Sequence, residues 1–306
     1  MNGLWGPVLT AMATPFDEEG CVDSEGAARL CRHLLDHGSD GLVVAATTGE
    51  GAVLDEGERV ALWDVCLQAV GDRAAVWASV GTNDTLASAR LARIAAGRGV
   101  HGLLVVTPYY NRPPQAALYR HFATIAEATE LPIMLYNVPS RTGVNMTAET
   151  TLRLAHDVPS IRALKEAHPD LGQVADLIAG RPDGFRVFSG DDAATFPMVA
   201  LGADGVVSVA SHVVGPAIAA MLASLGAGDH RQAALLHLEI LPVVRALFAT
   251  TSPILLKAAL ALLGLPAGRP RPPLLAADAD EIRALATALI RAKHITAAAG
   301  VRLPPA

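Results

Sequence analysis

The chain has 306 residues, of which 51 % are hydrophobic and 18 % charged, and its 30 acidic and 24 basic residues give a net charge of −6. This is the composition of a globular protein, with no basic field for nucleic acid and no cationic face for a membrane. No apolar run is long enough to span a bilayer, and the amino terminus lacks the basic start and apolar core of a signal peptide. We therefore expect a cytoplasmic protein without a nucleic-acid or membrane partner.

Short apolar runs alternate with longer helical patterns along the chain. The runs are continuously apolar, as is typical of parallel strands that are covered on both faces. The predicted strands are Val8–Ala13, Gly41–Ala46, Ala74–Val80, Val100–Val106, Pro132–Tyr136, Ser160–Leu164, Phe185–Phe188 and Gly205–Val209. The helices predicted after them are Ser24–His37, Asp55–Val70, Asp84–Ala96, Gln115–Ala128, Thr147–Ala155, Asp170–Ala179, Ala193–Leu201 and about Pro216–Ser224. In the first helix we expect Ser24 to be the N-cap and Gly38 to end the helix.

Eight strand–helix units within residues 1–226 predict a (β/α)8 barrel, the TIM-barrel fold. A doubly wound open sheet is the alternative, because counting strands does not establish closure, although no G-x-G-x-x-G turn follows the first strand. Residues 227–306 are predicted to form a helical appendage with helices over His230–Phe248, Pro253–Leu263 and Asp278–Lys293. The tail from Thr296 is expected to be frayed.

Cysteine and histidine spacing gives no sign of a metal centre or a disulfide framework. Cys21, Cys31 and Cys66 are odd in number and form no CxxC pair, and the ten histidines show no HxH or HExxH spacing. We interpret the cysteines as reduced thiols and expect no metal site.

Polar residues collect directly after the predicted strands, and in a closed barrel these strand ends form the active-site face. Three of the four tyrosines of the chain lie there. The segments that follow strands two, four, five, six and seven are Thr47–Gly51, Thr107–Pro113, Tyr136–Gly143, Lys165 and Ser189–Asp192. Asp191 and Asp192 are expected to cap the following helix.

Lys165 is one of three lysines, beside 21 arginines, and a lysine amine can form a Schiff base with a carbonyl substrate. The reaction needs a neutral amine, which costs about 4–5 kcal/mol at pH 7 and is partly offset by a desolvating site. A lysine that closes a strand is commonly just solvated. The other two lysines, Lys257 and Lys293, lie in predicted helices.

The neighbouring loops supply what such chemistry needs. Tyr136 could exchange protons with the amine, Thr47 and Tyr110 could extend the relay, and Arg141 offers a bidentate clamp for a carboxylate. Each signal alone has an ordinary structural explanation, such as packing for the tyrosines or a salt bridge for Arg141. Their occurrence together, on five loops of one rim, favours a catalytic site.

The segments A-T-T-G-E, T-P-Y-Y-N-R-P, Y-N-V-P-S-R-T-G, L-K-E-A and S-G-D-D together resemble the dihydrodipicolinate synthases, within the pyruvate-dependent class I aldolases. The resemblance extends from about Leu4 to Leu265. It implies a barrel with a helical domain, a homotetramer built as a dimer of dimers, and no metal or organic cofactor. It also implies condensation of pyruvate with L-aspartate-4-semialdehyde to 4-hydroxytetrahydrodipicolinate, in diaminopimelate and lysine biosynthesis.

The resemblance also assigns roles to individual residues. Lys165 would form the imine with pyruvate, and Tyr136, Thr47 and Tyr110 match a proton relay in which Tyr110 enters the site of the neighbouring subunit. Thr48 matches the residue that holds the carboxylate of pyruvate, and Arg141 the residue that receives the carboxylate of the semialdehyde. The backbone positions that match the lining of the pyruvate pocket are Gly190 and Val207.

Several positions depart from the family pattern. His168-Pro169 stands where relatives often have Ser or Thr followed by Gly, and His212 stands where an Asn is common. We interpret His212 as a packing or rim residue that could reshape the pocket of the second substrate. In the segment Ser252–Lys257, which replaces N-P-x-P-x-K, we interpret Lys257 as structural.

The positions that match a lysine-feedback site are also altered. Glu56 and Ala87 stand where relatives with feedback have His and Glu, although Asn83 and Tyr109 are retained. We therefore predict weak or absent inhibition by lysine.

Three other functions are compatible with parts of the pattern. The nearest is a retro-aldol lyase or dehydratase for a sugar-derived 2-keto acid, of the N-acetylneuraminate or 2-keto-3-deoxygluconate type, for which Arg141 is the discriminating residue. A barrel that only binds a keto acid would not need a relay around a lysine. A metal-dependent aldolase is disfavoured by the lack of ligand spacing.

Overall fold

Eight parallel strands close into a barrel in chain order, and β8 pairs with β1. The computed structural model describes residues 4–168, 170–292 and 296. Closure confirms the predicted barrel and excludes the open sheet. The strands are β1 (Val8–Ala11), β2 (Gly41–Val44), β3 (Ala75–Ser79), β4 (Gly102–Val106), β5 (Ile133–Asn137), β6 (Ile161–Glu166), β7 (Arg186–Ser189) and β8 (Gly205–Ser208).

Twelve α-helices surround or extend the barrel in the described part of the chain. Those from α1 to α9 follow the strands, and α10 to α12 form the carboxyl-terminal appendage. The helices are α1 (Ser24–Asp36), α2 (Glu56–Val70), α3 (Thr85–Gly97), α4 (Gln115–Ala126), α5 (Pro139–Thr142), α6 (Ala148–Asp157), α7 (Leu171–Gly180), α8 (Thr195–Ala200), α9 (Ser211–Gly226), α10 (His230–Leu247), α11 (Ile254–Leu262) and α12 (Ala279–Arg291). The predicted helix end at Lys293, the frayed tail beyond Thr296 and Pro169 lie outside the described residues.

Two details of the predicted helices are wrong. The N-cap of α1 is Asp23, whose carboxylate accepts a hydrogen bond from the backbone N–H of Gly26, while Ser24 is the first helical residue. Helix α9 begins at Ser211 and not near Pro216, and a kink at Val214 (φ −126°, ψ 29°) separates its first turn from the rest of the helix. This kink accommodates the proline, which lacks an N–H and would crowd the carbonyl one turn back in a regular helix.

The apolar core has two layers separated by the sheet. Side chains on one face of the strands fill the barrel lumen, and those on the other face pack against the helices. Trp5 lies at the amino-terminal end of the lumen, where its ring is 4.6 Å from that of Trp77 and 5.9 Å from that of Phe188. These aromatic rings fill the lumen below the site, so polar groups of the lumen are concentrated at the opposite end.

Candidate active site

A cavity of about 400 Å³ lies at the carboxyl ends of the strands. It contains six of the eight residues that the sequence assigned to the site. These six are Thr47, Thr48, Tyr136, Arg141, Lys165 and Gly190. Four loops that are distant in the sequence therefore meet around one space, as barrel closure requires.

Lys165 lies within β6, one residue beyond the predicted end of that strand, and is 3 % exposed. It is directly opposite Tyr136 in the β5–β6 register, and its Nζ is 4.3 Å from the centroid of the tyrosine ring. Gly190 leaves room for the lysine stem, since a Cβ there would lie 3.1 Å from both Cγ and Cε of Lys165. The amine is thus held at the floor of the cavity beside a phenol.

The loops after β2 and β4 carry backbone strain. The non-glycine residues with positive φ in the described part of the chain all belong to these two loops, and they are Ala45, Glu50, Tyr110 and Arg112. Such conformations are unfavourable for residues with a Cβ, and they concentrate at functional sites. The loop between Ala45 and Glu50 carries Thr47 and Thr48, which both line the cavity.

A buried ion pair fastens the β2 loop to the appendage. Glu50 Oε1 is 2.6 Å from Lys257 Nζ on α11, with the two side chains 2 % and 1 % exposed. Glu50 Oε2 accepts a hydrogen bond from the backbone N–H of Arg271 at 2.8 Å. Burial lowers the pKa of Lys257 to about 8, against the opposing effect of Glu50. The geometry agrees with the structural role expected for Lys257.

The appendage also forms part of the cavity wall, which sequence reasoning missed. Val244 and Arg245 of α10 and Phe248 directly after it line the cavity together with Ser252. The backbone carbonyl of Ser252 accepts a hydrogen bond from Arg141 Nη2 at 3.3 Å. No local pattern in the sequence marks these residues, because their position depends on how α10 docks on the barrel.

Two of the predicted site residues do not line the cavity. Tyr110 is 89 % exposed, and Val207 lies in the lumen cluster, whereas Val209 lines the cavity two residues further on. Within one chain, Tyr110 is therefore not part of the wall around Lys165.

A buried carboxylate next to Lys165 was also not predicted. Glu166 faces the helices, where Asn137 and Gln173 donate hydrogen bonds to it. Burial raises the pKa of Glu166 to about 7, and the hydrogen bonds oppose that shift. The only available signal was its place directly after the lysine.

His212 and Asp192 fix the end of β8. His212 is 1 % exposed, its Nδ1–H donates to Val209 O at 2.8 Å, and its Nε2 accepts from the backbone N–H of Ala13 at 3.1 Å. It packs inside the fold, outside the cavity lining. Asp191 caps a short turn, as expected, but Asp192 does not act as a cap. It accepts instead from Ser208 and from the backbone N–H groups of Val209 and Ala210.

A second cavity, of about 300 Å³, shares Thr47, Tyr136 and Arg141 with the first and is also lined by Tyr109 and Arg59. The Arg59 guanidinium donates to the carbonyls of Leu54, Gly51 and Ser79, which hold it in place.

In the described ranges, no group of three or more His, Cys, Asp or Glu side chains is placed to hold a metal ion, and no helix is both long and apolar enough to cross a membrane.

Comparison with known proteins gives one family. Residues 5–292 match the model of the dihydrodipicolinate synthetase family. The 4-hydroxy-tetrahydrodipicolinate synthase of Symbiobacterium thermophilum is 52 % identical over 288 residues, which cover 94 % of this chain and 98 % of that protein. The synthase of Moorella thermoacetica is 53 % identical over 285 residues, covering 93 % and 97 %. The crystal structure of the synthase from Cyanidioschyzon merolae with lysine bound superposes with a TM-score of 0.93 at 43 % identity, covering 94 % and 98 %.

Proposed function

This chain belongs to the dihydrodipicolinate synthetase family, and from that premise we propose that it condenses pyruvate with L-aspartate-4-semialdehyde to 4-hydroxytetrahydrodipicolinate. It is a lyase of diaminopimelate and lysine biosynthesis, and its substrates are small molecules. The observation that carries the proposal is the placement of Lys165, Tyr136, Thr48 and Arg141 around one cavity at the barrel mouth. The names of the relatives do not favour the retro-aldol alternative.

In the first step, the neutral amine of Lys165 attacks the keto carbon of pyruvate, and the resulting carbinolamine loses water to give an imine. Proton transfers accompany each stage, and Tyr136 is the nearest candidate for them because its ring lies directly beside Nζ. Thr47, which lines both cavities, extends the relay. Loss of a methyl proton then converts the imine to an enamine, which is the carbon nucleophile.

The carboxylate of pyruvate is held at the loop after β2. We assign it to the hydroxyl of Thr48, with the backbone of Gly190 and of the β8 segment that contains Val207 forming the rest of the pocket. Thr48 is 4 % exposed and lies on the strained loop that Glu50 fastens. A fixed loop reduces the ordering that binding would otherwise require.

Arg141 receives the carboxylate of the semialdehyde. Its guanidinium lines both cavities, and the hydrogen bond to Ser252 O uses one N–H and leaves others for a bidentate contact. The enamine carbon attacks the aldehyde carbon, and a carbon–carbon bond forms. The amino group of the second substrate then attacks the imine carbon, which closes the ring and releases Lys165.

We further propose a homotetramer, a dimer of dimers, in which Tyr110 completes the relay of the neighbouring subunit. The support is its exposure of 89 % at a φ of 70°, which places a phenol outward on a strained loop. For the contact between the two dimers, exposed leucines offer a second apolar surface. They lie on or beside α7, α8 and α10, of which α8 contacts the other two, and they are Leu171, Leu201 and Leu238. We place the enzyme in the cytoplasm, in keeping with its unpaired cysteines.

The proposal is tested by incubating the enzyme with pyruvate, reducing with borohydride and mapping the adduct. Label on Lys165 is expected, and label on Lys257 or Lys293 instead would overturn the mechanism. Addition of aspartate semialdehyde should then give cyclised product. Arg141→Ala should abolish condensation while pyruvate trapping persists, and loss of trapping as well would refute the assignment of Arg141 to the second substrate.

A further inference from the structure

A network of buried polar side chains lies on the helix-facing side of β5 and β6. Asn137 Nδ2 is 3.0 and 3.1 Å from the two carboxylate oxygens of Glu166, and Gln173 Nε2 on α7 is 3.0 Å from Oε2. The backbone N–H of His168 donates to Oε1 at 2.8 Å. Asn145 joins Asn137 to Gln173 through further hydrogen bonds. The network therefore connects β5, β6 and α7 at the level of the site.

In each of these hydrogen bonds a carboxylate oxygen of Glu166 is the acceptor. A protonated carboxyl would lose one of the hydrogen bonds that it now accepts, because its O–H would face a donor. No ion pair within the described residues includes Glu166. The geometry thus fits the ionised carboxylate, although the group is buried and has no cationic partner, an arrangement that is unfavourable and uncommon.

This carboxylate lies directly behind the reacting groups. Tyr136 is opposite Lys165 in the β5–β6 register, and Asn137 is opposite Glu166. Successive side chains of a strand point to opposite faces, so the first pair enters the lumen and the second faces the helices. The backbone carbonyl of Glu166 also accepts a hydrogen bond from Gly190 N at 2.7 Å. The same residue therefore contacts β5 through its side chain and the end of β7 through its backbone.

We propose that Glu166 is a positioning residue for the Schiff-base reaction, whose ionised carboxylate joins the ends of β5 and β6 through Asn137 and so fixes the Tyr136 ring beside Lys165 Nζ. This inference rests on the proposed function. Glu166 does not touch the substrate, since it faces away from the cavity. Its effect is on the angle and distance at which the phenol meets the amine, on which proton transfer depends strongly.

The arrangement gives the enzyme a defined pH dependence. Burial raises the pKa of Glu166 to about 7 against the opposing effect of its hydrogen bonds, and no charged side chain contributes to the shift. The neighbouring elements present Asn137, Asn145 and Gln173 to it, and the titratable side chains nearest in the sequence are Lys165, on the opposite face of β6, and His168. As pH falls through about 7, the carboxylate takes up a proton and the connection between the strands weakens.

The test is the rate of pyruvate trapping by borohydride and the steady-state turnover, both measured from pH 6 to 8, for the wild type and Glu166→Gln. We expect the variant to lose about tenfold or more in kcat and in trapping rate, with the KM of both substrates little changed. Its rates should rise less steeply with pH near 7 than those of the wild type, because the contribution of the Glu166 carboxylate is missing and only that of the lysine amine remains. Glu149→Gln, which removes an exposed carboxylate of α6, is the matched control and should behave as the wild type.

Asn137→Ser removes the same connection from the other strand while the carboxylate remains, and it should show the same loss at unchanged KM. Effects of the two substitutions that do not add in the double variant would support one shared connection. The inference is overturned if wild type traps pyruvate on Lys165 and both variants trap it equally fast. It is also overturned if activity falls only in proportion to the folded fraction seen by circular dichroism. A wild type that fails to trap pyruvate on Lys165 would instead refute the proposed function.

Discussion

The ion pair between Glu50 and Lys257 allows a quantitative test of how the appendage stabilises the site. Lys257→Met keeps the length of the side chain and removes its charge. The carboxylate of Glu50, whose side chain is 2 % exposed, would then be left with the backbone N–H of Arg271 as its described hydrogen-bond donor. Removing one partner of a buried ion pair costs about 3–5 kcal/mol, because the remaining charge stays desolvated.

Removing both charges should lower the free energy of unfolding much less than removing one. The pKa of Lys257 is lowered to about 8, so burial disfavours the charged ammonium by more than Glu50 favours it. Glu50→Gln combined with Lys257→Met removes both charges of this buried pair, and the glutamine oxygen can still accept a hydrogen bond from Arg271 N. We expect the double variant to be close to the wild type in stability and clearly above the Lys257→Met single variant.

The assay is thermal unfolding followed by circular dichroism, with pyruvate trapping as the second readout. Lys257→Met should lower the midpoint by roughly 5–8 °C. It should also raise the KM for pyruvate, since the backbone N–H of Glu50 donates to Thr47 O within the loop that carries Thr48. A Lys257→Met protein as stable as the wild type, or a double variant less stable than the single, would refute this reasoning.

Three further results are expected. Glu56 is engaged by Arg90 and position 87 is alanine, so lysine should barely change turnover, and strong inhibition at sub-millimolar lysine would contradict this. Burial lowers the pKa of His212 to about 4, so the native chain binds fewer protons than the unfolded chain between about pH 6.5 and 4, and stability falls as pH falls through that window. His212→Asn should reduce the loss of the urea midpoint between pH 7 and 5, and an equal loss in both proteins would exclude His212 as a cause. If Tyr110 acts in the neighbouring site, mixing Tyr110→Phe and Lys165→Ala subunits should restore activity through hybrid dimers that contain one intact site, whereas action within one chain would give no recovery.

The barrel could be predicted because its determinants are local. Most strands are continuous apolar runs, and several helices begin after a residue such as Asp55 or Asp84 whose side chain satisfies free backbone N–H groups. The residues that follow the strands could be assigned to one face because closure of a parallel barrel brings all strand ends together. For that reason Lys165, Tyr136 and Thr48 could be expected near one another, and they line the same cavity.

The features that sequence reasoning missed depend on contacts between distant segments. Arg245 lies on α10 and Phe248 directly after it, and the apolar pattern of that helix shows only that it packs, not which cavity the neighbouring side chains reach. Asp192 resembles a helix cap, but its buried carboxylate binds the turn after β8. The Glu166 network could not be predicted, because a Glu next to a Lys in the sequence is ordinarily a solvated charge.

Because α10 contributes part of the cavity wall, ligand binding is thermodynamically coupled to docking of the appendage on the barrel. A molecule that fills the space between Lys165 and Phe248 contacts barrel and appendage at once, so it binds only the docked arrangement. By mass action, each bound keto acid shifts the population toward that arrangement. Saturation with pyruvate should then slow amide hydrogen exchange in α10 and α11, including backbone groups far from the ligand. The reactant therefore stabilises the docked appendage as well as the site that consumes it.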